Sequence, residues 1–166
     1  MAAIGSSVIR ARAVDLIEAL TPDTSVGGAT EFRRHHNVMS LAQGAAGSAT
    51  DRFFTVKMNR GVPSNLLIEP EVKEWDGELV VIMAYMASLG DLDETRDRMR
   101  EDSNLIGHTL ELADTSGLHG YSSGSTVVQG CWALDAEYDD DVGVEEEPLA
   151  LFSVTSFRVL HQTTRS

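Results

Sequence analysis

The chain has 166 residues, 42% hydrophobic and 23% charged, a composition that suits one globular domain burying roughly two-thirds of its unfolded surface. No stretch approaches the ~20 apolar residues of a membrane span, and a lone cysteine, Cys131, excludes an internal disulfide and fits a reducing compartment. The formal net charge of −13 disfavours direct attraction to nucleic-acid phosphates. Solubility accounts for such a charge, and an acidic surface past which DNA must slide is the alternative.

At the N-terminus no basic region precedes a continuous apolar run, so no signal peptide is expected. Ser7 is placed to cap a first helix with the apolar stripe Ile9, Ala13, Leu16, Ile17 and Leu20, which Thr21-Pro22 ends. Arg10 and Arg12 fall in its first turn, where the helix dipole does not favour cations. Solvent exposure explains them, and a carboxylate on a neighbouring subunit is the alternative. Glu31–Met39 (EFRRHHNVM) reads as a short, wet strand, and Ser40–Thr50, rich in Gly, Ala and Ser, as a mobile loop.

Asp51–Asn59 resumes strand character, with Phe54, Val56 and Met58 on one face and Phe53, Thr55 and Lys57 on the other. Residues 60–77 form a connection with two prolines and an apolar Leu66-Leu67-Ile68, and loops of that length are usually functional or disordered. Glu78–Ala87 is apolar on both faces. Leu79, Val81, Met83 and Tyr85 point one way, and Val80, Ile82, Ala84 and Met86 the other. Such a strand needs cover on both sides, and another subunit is a candidate source.

A second helix spans Asp91–Leu112. Asp91 and Glu94 suggest a capping box, Leu92, Thr95, Met99, Ile106 and Leu110 a buried stripe, and Glu94/Arg98 and Arg98/Asp102 four-residue ion pairs. Residues 114–125 read as a flexible loop. Two strands finish the chain. The first should point Val128, Trp132, Leu134 and Ala136 one way, and the second is Leu149–Leu160. Between them Glu137–Glu147 holds seven acids in eleven positions, about half of the net charge, and is expected to be a solvated loop. The expected architecture is a single α+β domain over 1–166, a mostly antiparallel sheet packed against two helices in the order α-β-β-β-α-β-β.

Chemistry is sparse. There is no G-x-S-x-G elbow, and Cys131 lies mid-strand, facing away from the side that carries Trp132. His35 and His36 are adjacent on a strand and point to opposite faces, so they do not chelate one ion. His108, His119 and His161 are scattered. The acidic block lacks the ligand order of an EF-hand, and Gly27-Gly28 lacks the context of a phosphate loop. No catalytic, cofactor or metal residue is assigned, and an enzyme is not expected.

Three segments carry a resemblance: the basic amphipathic helix SSVIRARAVDLIEALTP; RFFTVKMN followed later by ELVVIMAYMASLGDLDETRDRMREDSNLIGHTLEL; and the closing pair VVQGCWALDAEYDDD and LALFSVTSFRVLHQT. In order and texture they resemble the tail terminator (tail completion) proteins of long-tailed bacteriophages and gene-transfer-type particles. The resemblance implies a structural virion protein of the tail or neck, assembled in the bacterial host cytoplasm. It would form a homo-hexameric ring that caps the tail tube protein, ends tail polymerisation and meets the head connector or stopper protein. DNA would pass through the channel without sequence-specific binding, and no membrane is involved. Candidate interface residues are Arg10, Arg12, Arg33, Arg34, His35, Leu66, Leu67 and Ile68. Two other readings stand beside it: a head-completion or stopper neck protein of the same particle, and a cellular α+β ligand-binding domain with a concave apolar pocket.

Overall fold

The computed structural model describes residues 5–25, 27–38, 51–63, 72–87, 89–113, 116–138 and 149–164. Two long strands, β3 (Val72–Ala87) and β6 (Leu149–Thr164), pair antiparallel over all 16 residues, with Val72 opposite Thr164 and Ala87 opposite Leu149. Each is roughly 50 Å long at the usual strand rise. β2 (Phe53–Pro63) lies antiparallel beside β3, and β5 (Thr126–Tyr138) beside β6. Two-residue strands finish the edges, β1 (Arg33–Arg34) on β2 and β4 (Ser122–Ser123) on β5, in the order β1-β2-β3-β6-β5-β4. β1 runs parallel to β2, so the sheet is mixed. With the helices α1 (Gly5–Glu18) and α2 (Leu92–Glu111) the fold is α+β.

Both helices pack on one face. Ile9, Ala13, Val14, Leu16 and Ile17 of α1 and Met99, Ile106 and Leu110 of α2 join one core with Phe54, Val56, Leu79, Val81, Met83, Tyr85, Leu151, Phe157 and Val159. Full burial of each large apolar side chain there contributes about 1.5–3 kcal/mol. The opposite face of β3 holds a smaller apolar cluster. Ile82 and Ala84 are buried with Val38, and half-buried Phe53, Val80, Phe152 and Val154 surround them. The two-sided apolar pattern of β3 thus has two separate clusters behind it, and among the described residues no helix covers the second.

Several sequence expectations are corrected. Ser7 is not the cap of α1, because the helix already includes Gly5. The strand expected over 31–39 contracts to Arg33–Arg34 and pairs in parallel. The 60–77 connection is strand at both ends, since β2 runs to Pro63 and β3 starts at Val72. A bulge between Asn59 and Val62 absorbs the irregularity there. In the segment read as a loop over 114–125, Leu118 is fully buried and Ser122–Ser123 form β4. Most of the acidic 137–147 block, like the 40–50 loop, lies outside the described residues.

The alternation in β5 also differs. Register shifts between Val128 and Gly130 and between Ala133 and Asp135 each insert a residue. Each insertion reverses the faces beyond it. Val128 therefore turns inward opposite buried His161, and Trp132 turns outward opposite exposed Arg158. Cys131 faces away from the side of Trp132, as expected, and is buried. At α2, Asp91 makes no side-chain cap hydrogen bond, and a single 3₁₀ turn (Leu89–Asp91) leads into the helix instead.

Candidate partner interface

The expected ion pairs along α2 are replaced by pairs that leave the helix. Thr95, Met99, Ile106 and Leu110 are buried as expected, and Arg98 and Asp102 are buried beside them. Asp102 accepts from both Nε (2.7 Å) and one terminal nitrogen (2.9 Å) of Arg52, and from the Tyr85 hydroxyl at 3.1 Å. Arg98 donates to Asp51 at 3.1 Å. Arg52 also donates to the carbonyls of Ala29 and Asp23, and Asp51 accepts the Ala29 N–H at 2.8 Å. Arg52 takes a left-handed φ of 59° at the mouth of β2, a cost of about 1–2 kcal/mol, which its guanidinium contacts offset. Gly28 lies so close that a Cβ there would stand 2.5 Å from Asp51 Oδ2 and 2.7 Å from Arg98 Cδ, at φ +90°. The Gly-Gly step thus serves close approach to this ion-pair cluster. Burial raises the Asp102 carboxyl above its ordinary pKa despite the opposing guanidinium of Arg52, and burial next to that carboxylate pushes the Tyr85 phenol well above 10. Every partner in the cluster is internal, so it reads as a clamp joining 23–29, β2, β3 and α2.

The candidate interface residues divide between two places. Arg33, Arg34 and His35 stand at the β1 end of the sheet. Arg33 pairs with Glu31 at 2.9 Å while both remain about half exposed, and Arg34 is exposed; His35 and His36, expected on opposite faces of a strand, instead follow the end of β1 with their ring centroids 4.4 Å apart. Arg10 and Arg12 are not brought to them. Arg12 lies over the ring of Tyr121, 5.1 Å from its centroid, next to β4 at the other end of the strand order, and Arg10 is exposed. Leu66, Leu67 and Ile68 lie outside the described residues.

A groove that the sequence did not reveal lies at the β5 end. It holds about 350 Å³ between α2 (Ser103, Asn104, Gly107, His108 and Glu111) and the strands (Ala133, Leu134, Asp135, Ala136 and Thr155). The Ala133 N–H donates to Glu111 Oε1 at 2.7 Å and the Ala136 N–H to Asp135 Oδ1 at 2.8 Å, so carboxylates occupy two N–H groups of β5. Leu134 is 58% exposed and Trp132 43%. The groove is legible only after folding, because Ser103 and Gly107 meet Asp135 across distant parts of the chain. The one sequence signal is Gly107, an interior helical glycine.

Burial, with the Glu111 carboxylate adding, pushes the Cys131 thiol up to about 12, which leaves it protonated and unreactive near neutrality. No group of three His, Cys, Asp or Glu residues among those described could hold a metal ion. A smaller hollow of about 220 Å³ is lined by Thr21, Asp23, Glu101, Asp102 and Leu105, against the clamp. No protein-family model matches the chain, and no curated protein matches it.

Proposed function

We propose that this chain is a structural, non-enzymatic subunit of a phage-type tail or neck, a tail terminator that assembles as a hexameric ring on the end of the tail tube. The ring ends tail polymerisation, meets the head connector and lets DNA pass through its channel. The observation that carries the reading is that both helices lie on one face of the sheet, while no helix among the described residues covers the apolar cluster on the other. α1 and α2 occupy one face, while the second face keeps Phe53, Val80, Phe152 and Val154 half-buried around Ile82 and Ala84. A sheet whose second face keeps a half-buried apolar rim with no helix over it among the described residues, and edges of differing charge, suits a subunit that completes its burial against neighbours. The net charge of −13 suits a channel that must not retain DNA.

The test is the mass of the purified chain by light scattering across dilution and at two salt concentrations, with and without tail tubes. A hexamer, or a monomer that becomes a ring on tubes, supports the reading. A stable monomer or dimer with no affinity for tubes overturns it, and binding to filled heads in place of tubes moves the protein to the head-completion role.

A further inference from the structure

We infer that the subunits join head to tail, with the Arg33–Arg34 edge of one copy seated in the α2–β5 groove of the next. The inference rests on the ring reading and names its contact. Four observations lead to it. First, the two ends of the sheet differ in charge. β1 offers two exposed guanidiniums, whereas the groove is lined by the Glu111 and Asp135 carboxylates and by no Lys or Arg. Each carboxylate spends one oxygen on a β5 N–H and keeps a second for a further donor.

Second, Ser103 in the groove is 97% buried, at 3% relative exposure, and its hydroxyl has no partner among the described residues. A buried hydroxyl is normally satisfied, and this one, with under 1 Å² of Oγ exposed, meets a donor or acceptor from an incoming chain once its side chain turns into the groove. Third, Gly107 sits inside α2 at a cost in helix propensity that a packing constraint would justify, yet a Cβ there would meet nothing within 4 Å. No packing contact explains the glycine, and its absent side chain leaves the groove open. Fourth, the strand directions agree. β2, β3, β6 and β5 alternate, and β1 runs with β2. In copies of like orientation β1 therefore arrives antiparallel to β5, the sense that β2, β3, β6, β5 and β4 use among themselves. The existing Arg33–Glu31 pair is half exposed, so its loss on docking costs little. Because the two surfaces are different patches, the contact propagates from copy to copy, and the ring reading requires that its rotation close.

The experiment uses two variants of the full chain: Arg33→Glu/Arg34→Glu, which spoils the edge, and Gly107→Leu, which fills the groove. Circular dichroism establishes that each is folded, and Gly107→Ala serves as the control that leaves the groove largely open. Light scattering should find each variant alone shifted by at least tenfold in the concentration needed to assemble. Mixed in equal amounts they should form a 1:1 heterodimer and nothing larger, because only one edge and one groove remain intact. Under the conditions in which the wild-type chain assembles, in solution or on tail tubes, wild-type assembly by either variant alone, or a mixture that stays monomeric, overturns the inference while leaving the ring reading in place. A wild-type chain that never assembles, even on tail tubes, removes the ring reading itself. Should Gly107→Leu fail to fold, Glu111→Gln/Asp135→Asn takes its place in the same mixing design with the same outcomes.

Discussion

Asp102→Asn isolates the buried clamp. The variant keeps the volume of the side chain and removes one charge from a group of four, Asp51, Arg52, Arg98 and Asp102, all under a tenth exposed. Two positive and two negative charges become a net positive charge in the core. Arg52 loses its two-pronged acceptor, and the Tyr85 hydroxyl loses its carboxylate partner. Breaking one partner of a buried ion pair typically costs about 3–5 kcal/mol, a large share of the ~5–15 kcal/mol that stabilises a domain. At roughly 2–4 °C per kcal/mol for a chain of this size, the midpoint of thermal unfolding should fall by about 6–20 °C. Circular dichroism at 222 nm reads the midpoint. A companion double variant, Arg52→Met/Asp102→Leu, removes both charges together and should cost at least ~2 kcal/mol less than the sum of its single variants, since no unpaired charge remains. A midpoint within ~2 °C of wild type for Asp102→Asn, or strict additivity in the cycle, would refute the idea that these charges are coupled and buried.

Two further predictions test the interior. His161 is fully buried, and burial lowers its pKa below 6.5, with the charge of Arg60 adding and the Val159 backbone opposing. The unfolded chain therefore takes up this proton first as pH falls. The His161 contribution is intact above pH 6.5 and declines as pH drops from 6.5 towards the folded pKa. Urea unfolding at pH 7.5, 6 and 5 should lose stability in that window, and His161→Phe should lose less. An unchanged pH dependence in the variant would mean that the loss comes from carboxylates. Cys131, with its thiol raised to about 12, should resist iodoacetamide at pH 8 in the native state and react once urea unfolds the chain, as followed by mass spectrometry. Rapid native labelling would place the thiol at the surface.

Residue patterns carried further in the strands' faces than in their pairing. Leu79, Val81, Met83 and Tyr85 could be assigned to one buried face and Ile82 and Ala84 to another, because strict alternation over ten residues leaves no other arrangement. In β5 the same rule failed at Trp132, because one bulge between Val128 and Gly130 shifted the count and sequence gives bulges no distinct mark. Asp102 was misread for a different reason. Its spacing from Thr95, Met99 and Ile106 places it on the inward face of α2, but a charged residue is assigned outward by default. Only the tertiary partner Arg52, fifty residues earlier, makes burial tolerable. The groove was invisible for a related reason, since α2 and β5 come together only through the order of the sheet.

Charge sets the terms on which such a chain can assemble. Copies carrying −13 each repel at long range, so an association that uses Arg33 and Arg34 must win locally against that field. Salt acts on the two parts differently. At physiological ionic strength the Debye length is about 8 Å, so repulsion between copies is largely screened while a guanidinium seated against Glu111 and Asp135 is not. Modest salt should therefore favour the contact and only higher salt weaken it. An assembly driven by the apolar second face alone would instead strengthen with salt throughout. The clamp belongs to the same logic, because pairing Arg52 and Arg98 with buried acids withdraws two cations from the surface. Their removal leaves the exposed guanidiniums of β1 as a concentrated positive feature on an otherwise acidic molecule.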